Sequence, residues 1–128
     1  MKINRYINNY TFNENLSVKK ALQKIEDTNL KTLFVVDNIG YLKGVLVDGD
    51  IRRWLLNSND CNLDQPVMNI LSSEFVVASI NTPPKEIQDL FNSRIRTIPL
   101  INAQGIIEAV AEIKDIKFQI ADKRISPE

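Results

Sequence analysis

Histidine is absent from the 128 residues, and this absence excludes several classes of functional site. Without imidazole there is no His-dependent catalytic triad, and nearly every protein zinc site loses its usual ligand. The single cysteine, Cys61, cannot form an internal disulfide and is typical of a protein in a reducing compartment. We therefore expect a cytoplasmic protein with no metal site and no catalytic residues.

The chain also has no net charge and no long apolar run. Sixteen Lys and Arg residues balance sixteen Asp and Glu residues, whereas nucleic-acid binding depends on an excess of positive charge. The longest apolar stretches, such as residues 33–36, are far shorter than the roughly 20 residues that cross a bilayer. The first ten residues lack the hydrophobic region of a signal peptide. Neither nucleic acid nor a membrane is an expected partner.

An internal repeat is the most informative feature that is present. When the chain is shifted by 65 positions, residues 20–53 align with residues 85–118 without a gap, and the apolar positions coincide. Each half is therefore expected to build the same local structure, in repeats 1–65 and 66–128. The identical pairs are Lys20/Lys85, Gln23/Gln88, Thr32/Thr97, Gly40/Gly105, Val45/Val110 and Asp50/Asp115.

The first copy predicts a helix, a strand, a turn, a second strand and a second helix. Ser17 is a suitable N-cap for a helix whose apolar residues recur at helical spacing. Residues 33–37 and 41–47 are predicted strands, with Gly40 in the turn between them. The second helix has its apolar face at Ile51, Trp54 and Leu55 and ends near Asn57.

The second copy predicts the same elements. Thr82 is the expected N-cap, with Pro83 at the first helical position. Residues 74–79 are predicted to be extended, residues 97–101 and 106–111 to be strands, and residues 113–121 to be the last helix. A mixed α/β (α+β) fold follows, a pseudo-two-fold pair of β-α-β-β-α repeats packed sheet to sheet. The residues expected in the core are Leu22, Ile25, Val35, Val45, Ile87, Leu90, Leu100 and Val110.

A stretch of the first copy resembles the cystathionine-β-synthase (CBS) domain, and the chain is similar to a tandem CBS pair, or Bateman module, over nearly its whole length. The resemblance implies a regulatory module, itself not an enzyme, that senses adenosine nucleotides in clefts between its repeats. The Asp-Gly-Asp-Ile-Arg-Arg phrase is most similar to pairs attached to sugar-phosphate isomerases and sugar-nucleotide transferases. The residues that carry the resemblance are Phe34-Val35-Val36-Asp37, the run from Gly40 to Arg53, and Val67-Met68-Asn69.

The resemblance places the candidate site where the second strand of the first copy meets the following helix. Asp50, beside Gly49, is expected to accept hydrogen bonds from a ribose diol, and Arg52 or Arg53 to reach a phosphate. Val47 stands where the family has Thr or Ser, so one hydroxyl is missing. The alternative is that Asp50 only stabilises the helix N-terminus, while both arginines are solvated.

The second cleft is expected to be the poorer of the two. Asp115 matches Asp50, but Glu112 occupies the position of Val47, and Ala109 replaces the preceding glycine. A carboxylate beside a phosphate is repulsive, which favours a structural role for Asp115.

Two hypotheses follow from these residues. In the first, the module binds AMP or ATP as a regulatory ligand, without a resident cofactor, and modulates an attached catalytic domain such as a sugar-nucleotide transferase. In the second, it is a degenerate pair that serves only in dimerisation or docking. A homodimer through the helices that contain residues 54–56 and 116–120 is expected in either case.

Overall fold

The computed structural model describes residues 1–59, 61–72 and 75–113, and the predicted last helix and Asp115 lie outside these ranges. The described residues form two small sheets and three α-helices, which confirms the predicted mixed α+β class. None of the helices in these ranges is long and apolar enough to span a membrane. The strands are β1 (Lys2–Asn4), β2 (Thr11–Asn13), β3 (Thr32–Val36), β4 (Leu42–Val47), β5 (Ala78–Ser79), β6 (Thr97–Ile101) and β7 (Ile107–Glu112); the helices are α1 (Val18–Thr28), α2 (Asp48–Asn57) and α3 (Pro84–Gln88), and a 3₁₀ helix spans Val67–Ile70.

The first half is a three-stranded sheet in the order β2-β3-β4, with α1 and α2 packed against it. Ser17 caps α1 as predicted, since its Oγ accepts a hydrogen bond from the Lys20 N–H at 3.2 Å. Asn29 ends the helix in the left-handed conformation, with φ 57°. The first core cluster comprises Phe12, Ala21, Leu33, Val35, Leu46, Ile51 and Val67.

The second half is a four-stranded sheet in the order β1-β7-β6-β5, with α3 beside it. The prediction that α3 begins after Thr82 is wrong, because the helix begins at Pro84. Pro83 is extended, with φ −57° and ψ 141°, since a proline disfavours helical backbone in the residue before it. The helix ends at Gln88, and Leu90, predicted to be buried, is 38% exposed in the following turn.

The segments that precede the two halves are exchanged between the sheets. Strand β1 pairs antiparallel with β7 of the second sheet. The 3₁₀ helix and Leu71 pack against the first core cluster, and Ser72 forms an antiparallel bridge with Val45. Each half therefore completes its packing with residues that come from outside its own repeat unit.

The two halves meet at the turns of their hairpins. The Leu42 N–H donates to the Gly105 carbonyl at 3.2 Å, and the Ile107 N–H donates to the Gly40 carbonyl at 3.3 Å. Both glycines have positive φ, 110° at Gly40 and 88° at Gly105, a conformation that glycine adopts without strain. Behind these turns lies an inter-sheet cluster of buried side chains from both halves: Tyr10, Phe34, Val45, Ile107 and Val110.

Most of the predicted core residues are buried. Val35, Val45, Ile87, Leu100 and Val110 confirm the prediction. Leu22 and Ile25 are only partly buried and pack against the edge of the first core cluster.

Candidate functional site

The first turn of α2 follows β4 directly and brings most of the predicted site residues together. Val47 is the N-cap residue, in extended conformation, and its side chain forms no capping hydrogen bond. Asp48 and Asp50 lie in the first turn, where the helix dipole and unpaired N–H groups favour negative charge. The Asp48 N–H donates to the Lys31 carbonyl at 2.9 Å, which fixes the start of the helix against the start of β3.

Two ion pairs connect this turn with the next. Arg52 Nη2 lies 2.8 Å from Asp48 Oδ2, and Arg53 Nη2 contacts Asp50 Oδ1. The arginine side chains are 70% and 67% exposed, whereas the Asp50 side chain is 26% exposed. The arginines are thus at the surface and each is paired with an aspartate, so neither is simply solvated. The first two turns of α2 thus present two carboxylates and two guanidinium groups at the N-terminal end of the helix.

Apolar residues border the base of this turn. Val47 packs against the inter-sheet cluster, and Phe75 packs against the same cluster from the second half. Gly49 has room for a side chain, since a Cβ built there would lie 3.5 Å from its nearest neighbour, Arg53 Nη1. The turn is therefore charged at the surface, and Val47 connects its base to the apolar inter-sheet cluster.

The corresponding position in the second half is occupied by a buried carboxylate. Glu112 at the end of β7 is 6% exposed, and its Oε2 accepts a hydrogen bond from the Tyr10 hydroxyl at 2.8 Å. Burial raises the pKa of Tyr10, and the hydrogen bond to Glu112 raises it further. A carboxylate held in this way lies where the first half has the apolar Val47.

Tyr10 was not predicted from the sequence as part of either site. The strand register pairs Thr11 with Phe34 and Ala78 with Leu100, so the counterpart of Tyr10 in the second half is Val76. No repeated residue type marks this position in the sequence. Arg96 was likewise not predicted: it is half-buried, and its Nη2 donates to the Ile113 carbonyl at 3.3 Å.

The described residues contain no cluster of three or more His, Cys, Asp or Glu side chains arranged to hold a metal ion. Cys61 is exposed, and its Sγ lies 3.4 Å from the Leu55 carbonyl oxygen.

Comparison with known sequences finds the CBS domain. Residues 5–57 match the family model of that domain. Among curated proteins, the chain is 26% identical over 110 residues to inosine-5′-monophosphate dehydrogenase of Nitrosopumilus maritimus and 29% identical over 102 residues to arabinose 5-phosphate isomerase GutQ of Escherichia coli. These matches cover 85% and 77% of this chain but only 22% and 30% of the two enzymes. The predicted resemblance of the first copy to a CBS domain is confirmed.

Solved structures show that the fold is that of CBS domain pairs. A CBS domain protein of Streptococcus pneumoniae matches with a TM-score of 0.77 at 15% identity, over 98% of this chain and 85% of that chain. A CBS domain pair/ACT domain protein of Thermotoga maritima matches with a TM-score of 0.62 at 17% identity, over 88% of each chain. The cytosolic domain of the Mg²⁺ channel MgtE, in complex with ATP, matches with a TM-score of 0.66 at 20% identity, over 87% of this chain and 45% of that chain.

Proposed function

We propose that this chain is a regulatory CBS-pair module that binds an adenosine-type nucleotide at the start of α2. The observation that carries the proposal is the first turn of α2, where Asp50 and two arginines lie together at the N-terminal end of a helix. The ATP complex of the MgtE cytosolic domain, which has the same fold, supports a nucleotide as the class of ligand.

Binding would rearrange the ion pairs of this turn. The Asp50 carboxylate has enough lone pairs to accept hydrogen bonds from both hydroxyls of a ribose. Arg53 would then leave Asp50 and, with Arg52, pair with the phosphate near the helix N-terminus. Such exposed ion pairs contribute only about 0–1 kcal/mol, so exchanging them for a phosphate contact costs little.

The affinity is expected to be modest, and one nucleotide should bind per chain. Val47 supplies no hydroxyl, which removes a hydrogen bond worth roughly 1 kcal/mol. In the second half, the buried carboxylate of Glu112 stands at the position of Val47, and its negative charge disfavours a phosphate there. For the same reason, we propose Asp115 as a less suitable nucleotide-binding residue than Asp50.

The proposal extends to the protein of which the module is a part. The chain spans 22% and 30% of the dehydrogenase and the isomerase that it resembles, which supports an attached catalytic domain. The isomerase supports sugar-phosphate chemistry, and a sugar-nucleotide transferase stays the predicted alternative. We also keep as predictions the repeat boundaries 1–65 and 66–128, a cytoplasmic location and a homodimer through the helices that contain residues 54–56 and 116–120.

A second function, a degenerate pair that only dimerises or docks, is favoured by two observations. Val47 lacks the hydroxyl, and both arginines of α2 are paired with aspartates of the same helix. In this case the charged turn stabilises the helix and binds nothing.

Binding measurements separate the two functions. Titration calorimetry of the full chain with AMP, ATP and GTP should show one site for an adenosine nucleotide, which Asp50→Ala abolishes. Asp115→Ala, the matched change in the other half, should leave binding nearly unchanged. Val47→Thr should tighten binding about fivefold by restoring a hydrogen bond worth roughly 1 kcal/mol.

Two results would contradict the proposal. Unchanged affinity in Asp50→Ala would mean that the nucleotide binds elsewhere. No heat of binding with either the native chain or Val47→Thr would favour the degenerate pair.

A further inference from the structure

The N-terminal end of α2 carries as much negative charge as positive charge. Arg52 pairs with Asp48, and Arg53 pairs with Asp50, so each guanidinium group is balanced by one carboxylate. A nucleotide brings further negative charge to this place, and the amount grows with the number of its phosphates. The two ion pairs therefore bear on which nucleotide the proposed site accepts.

The pair between Asp50 and Arg53 is suited to receive one phosphate. The ribose hydroxyls that Asp50 is proposed to bind are uncharged, so they can take the place of Arg53 on the carboxylate without adding charge. A Cβ built at Gly49 would lie 3.5 Å from Arg53 Nη1 and 3.8 Å from Arg53 Nη2. The guanidinium group thus already lies beside the second residue of the helix, at the end where the dipole favours a phosphate.

The pair between Asp48 and Arg52 has a different consequence. Asp48 is the first residue of α2, and its N–H donates to the Lys31 carbonyl at 2.9 Å, which fixes its backbone at the helix N-terminus. Its side chain is 33% exposed, whereas that of Arg52 is 70% exposed and can turn toward a ligand. When Arg52 turns away, a carboxylate without its partner is left at the end of the helix that a phosphate approaches.

The charges at this end suffice for one phosphate. Lys31 is exposed and forms no ion pair with a described residue, so it adds one cation to the two arginines. Three positive charges then stand against two carboxylates, a surplus of one. A phosphate monoester carries about −1.5 to −2 at neutral pH, and every further phosphate adds negative charge that this surplus does not balance.

We propose that Asp48 makes the site selective for nucleoside monophosphates over nucleoside triphosphates, an inference that rests on the proposed function. Once Asp50 holds the ribose, Arg53 and Arg52 turn to the first phosphate. The second and third phosphates of a triphosphate then lie near the unpaired Asp48 carboxylate, which repels them. Asp48 determines specificity through this repulsion and does not itself bind the ligand.

Titration calorimetry of the full chain with AMP and ATP in magnesium-free buffer tests the inference. AMP should bind about tenfold more tightly than ATP, as expected for a few charge contacts in a solvent-exposed position. Asp48→Asn removes the repulsion and should lower the ratio of the ATP Kd to the AMP Kd by about fivefold. Magnesium ions should lower the same ratio in the native chain, because they neutralise part of the triphosphate charge.

Two control variants show whether the charge of Asp48 is responsible. Asp48→Glu keeps the carboxylate and should keep the ratio of the native chain. Asp89→Asn removes an exposed carboxylate from the second half and should leave the ratio unchanged. A loss of folded protein would lower both apparent affinities together, so the ratio separates charge repulsion from stability.

ATP binding as tightly as AMP in the native chain would overturn this inference and leave the proposed function standing. The same holds for a ratio that Asp48→Asn does not change, or that Asp89→Asn changes equally. If neither AMP nor ATP binds, the proposed function and this inference are both wrong.

Discussion

Gly44 marks the tightest approach between the first sheet and the segment that leads to the second half. A Cβ added at this position would lie 2.9 Å from the Ser72 carbonyl oxygen and 3.2 Å from Leu71 Cδ1. The Ser72 backbone cannot easily move, because its N–H and carbonyl both form 3.1 Å hydrogen bonds with Val45. Gly44→Ala therefore forces either a clash or a displacement of this bridge.

The two outcomes have similar costs. Overpacking of a buried site costs about 1–3 kcal/mol, and displacement loses two hydrogen bonds of about 1 kcal/mol each. Alanine also lowers the conformational entropy of the unfolded chain, which stabilises the folded protein by about 0.4–1 kcal/mol and partly offsets this loss. We expect Gly44→Ala to lower the free energy of unfolding by about 1–2 kcal/mol. Urea denaturation followed by the fluorescence of Trp54, the single tryptophan, measures this change.

Gly49→Ala is the matched control. Its Cβ would meet only the flexible Arg53 side chain, at 3.5 Å, within the first turn of α2. Alanine is the better helix former, so this variant should be as stable as the native chain or slightly more stable, by up to about 0.5 kcal/mol. A fully stable Gly44→Ala would refute the close approach to Ser72. Equal losses in the two variants would show that a general effect of alanine is being measured.

Two further predictions concern titratable groups. The pKa of Asp37 is lowered because, although burial raises it, hydrogen bonds from the N–H groups of Tyr41, Ile39 and Gly40 outweigh that effect. The ionised Asp37 carboxylate stabilises the fold above its unfolded pKa of 3.8, and this stabilisation is lost as the pH falls through the lower folded pKa. Below about pH 4, the urea midpoint of the native chain should therefore fall more steeply than that of Asp37→Asn. Parallel curves of urea midpoint against pH for the two proteins would contradict this prediction. Tyr10→Phe should lower the free energy of unfolding by about 1–2 kcal/mol, because it removes a hydrogen bond to the buried Glu112. The control, Tyr6→Phe, changes a residue that is 81% exposed and should have no effect in the same urea assay. Equal effects of the two changes would exclude a stabilising role for the Tyr10–Glu112 hydrogen bond.

The elements that the sequence predicts well are those with a local signal. The predicted strand at residues 97–101 is β6 as observed, and Ser17 caps α1 as expected. Alternating apolar residues, turn glycines and a capping side chain act within a few residues of each other, so they can be recognised without the tertiary structure. The α2 turn is predictable for the same reason, since Asp50 and both arginines are within four positions of one another.

The errors and omissions have a tertiary origin. Strand β1 has three residues, and its pairing with β7 joins Asn4 to Val110, which no local pattern indicates. The hydrogen bond from Tyr10 to Glu112 crosses 102 positions, so the sequence showed the carboxylate in the second cleft but not its partner. At α3, the consecutive prolines are visible in the sequence, but the helix start depends on which of them takes the helical conformation.

The two copies are most informative where they differ. Positions 47 and 112 are aligned by the repeat, and there the apolar Val47 of the first half is replaced by a buried carboxylate that accepts a hydrogen bond from Tyr10. The segments before the first helix of each copy are offset by 66 instead, since Phe12 pairs with Val35 and Ala78 with Leu100. Tyr10 therefore corresponds to Val76, and the hydroxyl that binds Glu112 has no counterpart in the second half. The copies thus differ most around Glu112, and this difference is the reason why the nucleotide is proposed for the first half alone.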